Sequence, residues 1–158
     1  MSGMSKIVKT ITNISLPFIL IYGLYVIAHG HLTPGGGFQG GAVVASGLAM
    51  VLVAYGSVWT MGKIKEKQLS VFESIGALVF IVLAFFGLII GSIFFNNWFA
   101  NQGSGIFAEK VTYGMTAANI NTAGIIPLMN FAVGLKVIAG LFAIVLVMAY
   151  ATSKKEGK

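Results

Sequence analysis

Cysteine, aspartate and arginine are all absent from this chain of 158 residues. Without cysteine there is no disulfide framework, no thiolate-held iron–sulfur cluster and no cysteine-type structural zinc site. A redox centre of that kind, in any assembly the chain joins, has to sit on another subunit. With no aspartate, two histidines and scattered serines and threonines, no nucleophile–base–acid triad stands out, and an autonomous enzyme is not expected. Charge of any kind is scarce. Charged residues make up 9% of the chain against 57% hydrophobic, and the mean hydropathy is +0.92. A soluble domain of this size needs far more charge to cover its surface. Lipid accounts for the excess better than a large core does.

The formal net charge is +6, which raises the question of nucleic acid. The pattern argues against it. Every basic residue is lysine, and most stand beside apolar runs. Nucleic-acid binders gather basic groups on one groove-sized face, usually with arginine among them. Here the lysines read as membrane orientation.

Four apolar runs carry the architecture. The first, residues 7–28, is long enough to cross ~30 Å of hydrocarbon at ~1.5 Å per residue. It is longer than a typical signal-peptide core, so it reads as a membrane helix, with Pro17 as its expected kink. His29 to Gly37 (HGHLTPGGG) then breaks the pattern, because consecutive glycines disfavour a helix interior. The second span is expected over 38–61. Gly36 and Gly40, like Gly37 and Gly41, have the small-xxx-small spacing that lets helix backbones approach in lipid. A short polar loop with Lys63, Lys65, Glu66 and Lys67 follows, and Ser70 with Glu73 reads as a capping box opening a third span over 71–95. Gly87 and Gly91 repeat the GxxxG spacing. A long polar loop, 96–126, leads to Pro127, a natural first-turn residue, and a fourth span over 127–151.

With four spans, the N-terminus, the second loop and the C-terminus share a side. That side holds Lys6, Lys9, Lys63, Lys65, Lys67, Lys154, Lys155 and Lys158, while the other holds Lys110 alone. The positive-inside rule puts both termini in the cytoplasm. The expectation is one all-α integral membrane domain over 1–158, with four transmembrane helices, in the cell membrane.

Three residues are candidates for chemistry. Lys136 lies inside the fourth span (NFAVGLKVIAG), where an isolated charge costs at least ~2.5 kcal/mol. It is either a proton-relay or cation-gating group, or a structural lysine that snorkels or pairs with a neighbour. Glu73 is either the cap of the third span or a proton-accepting carboxylate at the cytoplasmic mouth of a path. The two are expected at different depths, each in need of a partner on another subunit. His31 can titrate near neutral pH, or it is an interfacial loop residue, which is the plainer reading of His29. Two histidines without a third ligand do not make a zinc site, and no metal is expected. PGGGFQGG lacks the Lys-Ser/Thr of a Walker A loop and the preceding strand of a dinucleotide fingerprint. It either packs a tight turn or lines a cavity with irregular backbone.

At this motif a family becomes recognisable. Gly30-His31, then Pro34-Gly35-Gly36-Gly37-Phe38 and Gly40-Gly41, resemble the signature of the B subunit of Mrp/Mnh-type sodium/proton antiporters. Asn121-Thr-Ala-Gly-Ile-Ile-Pro127 and Gly134-Leu-Lys136-Val137 resemble its downstream pattern. The resemblance covers nearly the whole chain. It implies a small subunit of a complex that exchanges Na+ for H+, accompanied by large subunits related to those of respiratory complex I and by other small membrane subunits. Similar subunits occur in archaeal membrane-bound hydrogenases and sulfane-sulfur reductases, which implies a nickel–iron or iron–sulfur redox module as a further partner. It also implies that His31, Lys136 and, more weakly, Glu73 lie on the ion path. The chain itself would hold no cofactor, with Na+ and H+ as transported ions. The other reading is a scaffold subunit that conducts nothing.

Overall fold

Backbone groups in hydrocarbon have no water to bond, so each apolar run satisfies its own amides by becoming a helix. In the computed structural model, which describes residues 4–32, 34–91, 93–97, 99 and 123–156, the order is α1 (Lys6–Ala28), α2 (Gly36–Tyr55), α3 (Ser57–Lys63), α4 (Glu66–Gly91) and α5 (Ile126–Glu156). Four of these, all but α3, are long and apolar enough to cross a membrane. The chain is therefore an all-α, multi-pass membrane protein. Most of the expected 96–126 loop, including Lys110, lies outside the described residues.

The helices form an open row rather than a closed bundle. α2 packs on α1 and on α5, and α4 packs on the far side of α5. Among the described residues, α4 has its one substantial contact with α5. Most large side chains of α4, such as Leu78, Ile81, Phe85 and Ile89, stand exposed on this chain alone. Such a face suits lipid or neighbouring subunits rather than water.

Glycine sets how closely the row packs. Ile27 of α1, which is 1% exposed, presses on Gly40 of α2 and Gly134 of α5. A Cβ at Gly40 would lie 2.6 Å from the Gly23 carbonyl oxygen, and one at Gly41 3.0 Å from that of Gly134. The Gly36/Gly40 and Gly37/Gly41 spacings thus put two neighbouring helices, α1 and α5, against α2. At the end where α1 begins and α2 stops, Met4 N–H donates to the Ala54 carbonyl (3.0 Å) and the Tyr55 hydroxyl to Asn13 Oδ1 (2.8 Å). Leu52, Leu69, Phe142 and Leu146 form a core at the same end, with Met61 and Ile64 packed on it.

The structure corrects four local expectations. The 38–61 run is two helices. Gly56 takes φ +88°, a conformation open to glycine, and α3 turns aside with Ser57 and Thr60 buried. The second helix also starts earlier, at Gly36, with φ +142° at Gly35 and +71° at Gly36. The Ser70–Glu73 capping box is not a cap. α4 starts at Glu66, and Gln68 Oε1 instead accepts from Lys65 N–H (3.3 Å), the reach-back half of such a box. Gln, Lys and Glu are good helix formers, so the helix extends a turn beyond the apolar run. Finally, α4 ends at Gly91 rather than 95, and Gly87 and Gly91 admit no second helix. They face the chain's own return, where Phe95 N–H donates to the Ala84 carbonyl (3.2 Å) and the Asn96 side chain lies over Gly91. Phe95 holds φ +58° in that turn.

Candidate functional site

The site is built along α5, the helix that touches all the others. One stripe of α5, Ala132, Lys136 and Gly140, recurs every fourth residue and so faces one way. It faces α4. A Cβ at Gly76 would lie 2.7 Å from the Ala132 carbonyl oxygen and 2.8 Å from the Lys136 amide nitrogen. One turn further, the Glu73 carboxylate lies over Gly140, with Oε1 3.5 Å and Oε2 3.8 Å from where a Cβ would stand. Glycine on each helix therefore makes room for the charged residue of the other.

Lys136 and Glu73 are thus brought to one helix–helix contact, about a turn (~6 Å) apart along α5. They are not an ion pair among the described residues. Glu73 stands seven positions into α4, ~10 Å along its axis. Its side chain is half-buried, whereas Lys136 is exposed on this chain alone. Lys136 lines a cleft of about 280 Å³ with Gly76, Ala77, Phe80, Ile81 and Val133. A second cleft of about 300 Å³ flanks the same Gly76 contact, and its walls, Val79, Leu83, Leu128, Phe131 and Leu135 among them, are apolar.

His31 is not brought to this pair. It lies half-buried in the turn between α1 and α2. That turn is held by His29, whose N–H donates to the Tyr25 carbonyl (2.9 Å) and whose carbonyl accepts from Leu32 N–H (2.9 Å). The His29 ring stacks on Tyr25 at 4.2 Å. These contacts give His29 a structural role at the end of α1. In the glycine motif Gly36, Gly37, Gly40 and Gly41 are buried, while Pro34, Gly35 and Phe38 are exposed. The motif packs α2 rather than forming a free loop.

Two residues were missed from sequence. Asn130 of α5 inserts its side chain between Gly30 and Gly36, so that a Cβ at Gly36 would lie 3.0 Å from Asn130 Oδ1. Its Nδ2 is buried without a hydrogen-bond partner. A polar residue inside an apolar span was the available signal. Asn97 latches the two ends of the long loop: its Nδ2 donates to the Ala123 carbonyl (3.0 Å) and its Oδ1 accepts from Ile125 N–H (2.8 Å). Nothing local in sequence indicates that pairing. Among the described residues, no three His, Cys, Asp or Glu side chains gather as metal ligands.

Residues 7–143 match the family described as a domain related to the MnhB subunit of Na+/H+ antiporter. An uncharacterized protein of Methanocaldococcus jannaschii is 41% identical over 122 residues, covering 75% of this chain and 42% of that protein. A Staphylococcus haemolyticus protein that carries the name antiporter subunit mnhB2 is 33% identical over 84 residues, 51% of this chain and 60% of that one. Among solved structures, a chain of the membrane-bound sulfane sulfur reductase, an archaeal respiratory membrane complex, superposes with a TM-score of 0.68 at 28% identity. That match covers 94% of this chain and 61% of the reductase chain. In each case the match spans less than two thirds of the relative.

Proposed function

The chain belongs to the family of domains related to the MnhB subunit of Na+/H+ antiporters, and from that premise we propose that it is a small, non-catalytic subunit of a cell-membrane complex that exchanges Na+ for H+. Its termini lie in the cytoplasm, on the lysine-rich side. Its partners are large complex-I-like subunits and other small membrane subunits, in a free-standing antiporter or joined to a nickel–iron or iron–sulfur module. The likeness to a respiratory membrane complex supports the second setting. The chain holds no cofactor, and Na+ and H+ are the ions it helps to move.

One observation carries the reading of an ion path: opposite charges, Glu73 and Lys136, placed a turn apart on one contact of membrane-spanning helices. Such charges are expensive in hydrocarbon and mark ion pathways. Glu73, nearer the cytoplasmic end, accepts H+ or Na+. Neutralising it changes the field at Lys136, so occupancy at one group is felt at the other. His31 serves the outer end of the path.

The test is Na+/H+ exchange in vesicles carrying the assembled complex with Lys136→Ala or Glu73→Gln. Lost exchange with intact assembly supports conduction. The scaffold reading draws on the glycine-lined contacts among α1, α2 and α5. It predicts full exchange for either variant wherever the complex is assembled.

A further inference from the structure

Lys136 stands ten residues into α5, ~15 Å from its first residue at ~1.5 Å per residue. Half of a ~30 Å hydrocarbon core is the same distance. A lysine side chain reaches well short of that, so its ammonium cannot snorkel to either surface. Yet on this chain alone Lys136 is exposed, opening into the cleft walled by Ala77, Phe80, Ile81 and Val133. Among the described residues, the acidic group on this helix contact is Glu73, a turn away and turned onto Gly140. Lipid cannot cover this face at a tolerable cost. The cleft on the other side of the Gly76 contact has apolar walls, and acyl chains fill such a cleft without penalty. The two clefts are similar in volume, and the first alone of the pair has a charged wall.

We propose that the Lys136 cleft is a docking groove for a transmembrane helix of another subunit, and that this helix carries one carboxylate at mid-membrane depth that pairs with the Lys136 ammonium. The rest of the docked helix is apolar, to match Phe80, Ile81 and Val133. This pairing rests on the reading of the chain as a subunit, not on ion conduction by Lys136.

The experiment uses membranes in which the whole complex is assembled. Ile81, exposed on the cleft wall, is replaced by the photo-crosslinker p-benzoylphenylalanine, and adducts are identified by mass spectrometry. The expected adduct is a membrane segment of another subunit that contains Asp or Glu. Lipid adducts alone, a second copy of this chain, or a segment without a carboxylate would each overturn the proposal. In a second arm, Lys136→Glu places two carboxylates together, and recovery of partners with this chain falls by tenfold or more, since an unpaired buried charge is strongly destabilising. Changing the partner's carboxylate to lysine restores recovery. Misfolding of the variant would not be rescued by that exchange, and absence of rescue overturns the pairing. Unimpaired Na+/H+ exchange in Glu73→Gln vesicles, with the crosslink and rescue intact, would sink the ion path and leave the docking groove standing.

Discussion

Gly76→Ala adds one methyl group at the contact that holds α4 to the rest of the chain. The methyl carbon would meet the Ala132 carbonyl oxygen at 2.7 Å and the Lys136 amide nitrogen at 2.8 Å, where ordinary contact begins near 3.4 Å. Both neighbours are helix backbone and cannot rotate away. The helices have to part by about 0.7 Å (3.4 minus 2.7) at this level, and a gap of ~0.5–1 Å forfeits a quarter to a half of each dispersion contact it opens. Overpacking of this kind costs ~1–3 kcal/mol. At roughly 2–4 °C per kcal/mol for a chain of this size, the thermal midpoint in detergent falls by several degrees. Gly62→Ala is the matched control, because nothing lies within 4 Å of its added Cβ, and it should leave the midpoint unchanged or slightly raised. Equal midpoints for Gly76→Ala and Gly62→Ala would refute the α4–α5 contact as described.

Other perturbations separate the remaining contacts. Asn97→Ala removes both bonds that latch the loop ends, each worth ~1 kcal/mol, and should speed proteolysis between α4 and α5 while the spans stay protected. Gly41→Leu, set against Val137 and the Gly134 carbonyl, should drive α2 from α5 and reduce the folded protein recovered in detergent. Tyr55→Phe loses the hydroxyl bond to Asn13 and should lower stability by ~1 kcal/mol, read as a small drop in midpoint with no change in helix content.

The number and order of the membrane helices were legible because hydropathy over some twenty residues is a long-range average that local detail hardly disturbs. Their ends were not. Gly56 is one glycine in an apolar run, and sequence does not reveal that it takes a positive φ and turns α3 aside. Ser70 and Glu73 satisfy a capping pattern, but Glu66 to Leu69 are themselves helix formers, so the helix begins without them. That local pattern also hid the role of Glu73. Its neighbour Gly140 lies on a helix more than sixty residues away in sequence, and only the fold brings the two together. Lys136 was legible as a charge out of place, since intramembrane cost needs no structure to argue. Asn130 carried the same kind of signal, a polar residue in an apolar run, but its neighbours in the α1–α2 turn are brought to it by the fold alone.

The central claim is that this chain works as one subunit among several. The measurement that tests it most directly is gentle purification of the chain from its native membrane, with identification of everything that comes with it. The account predicts antiporter-like membrane subunits in fixed proportion, with a nickel–iron or iron–sulfur module as well if the host is a respiratory complex. Recovery of the chain alone, or as a homo-oligomer without other subunits, would contradict it.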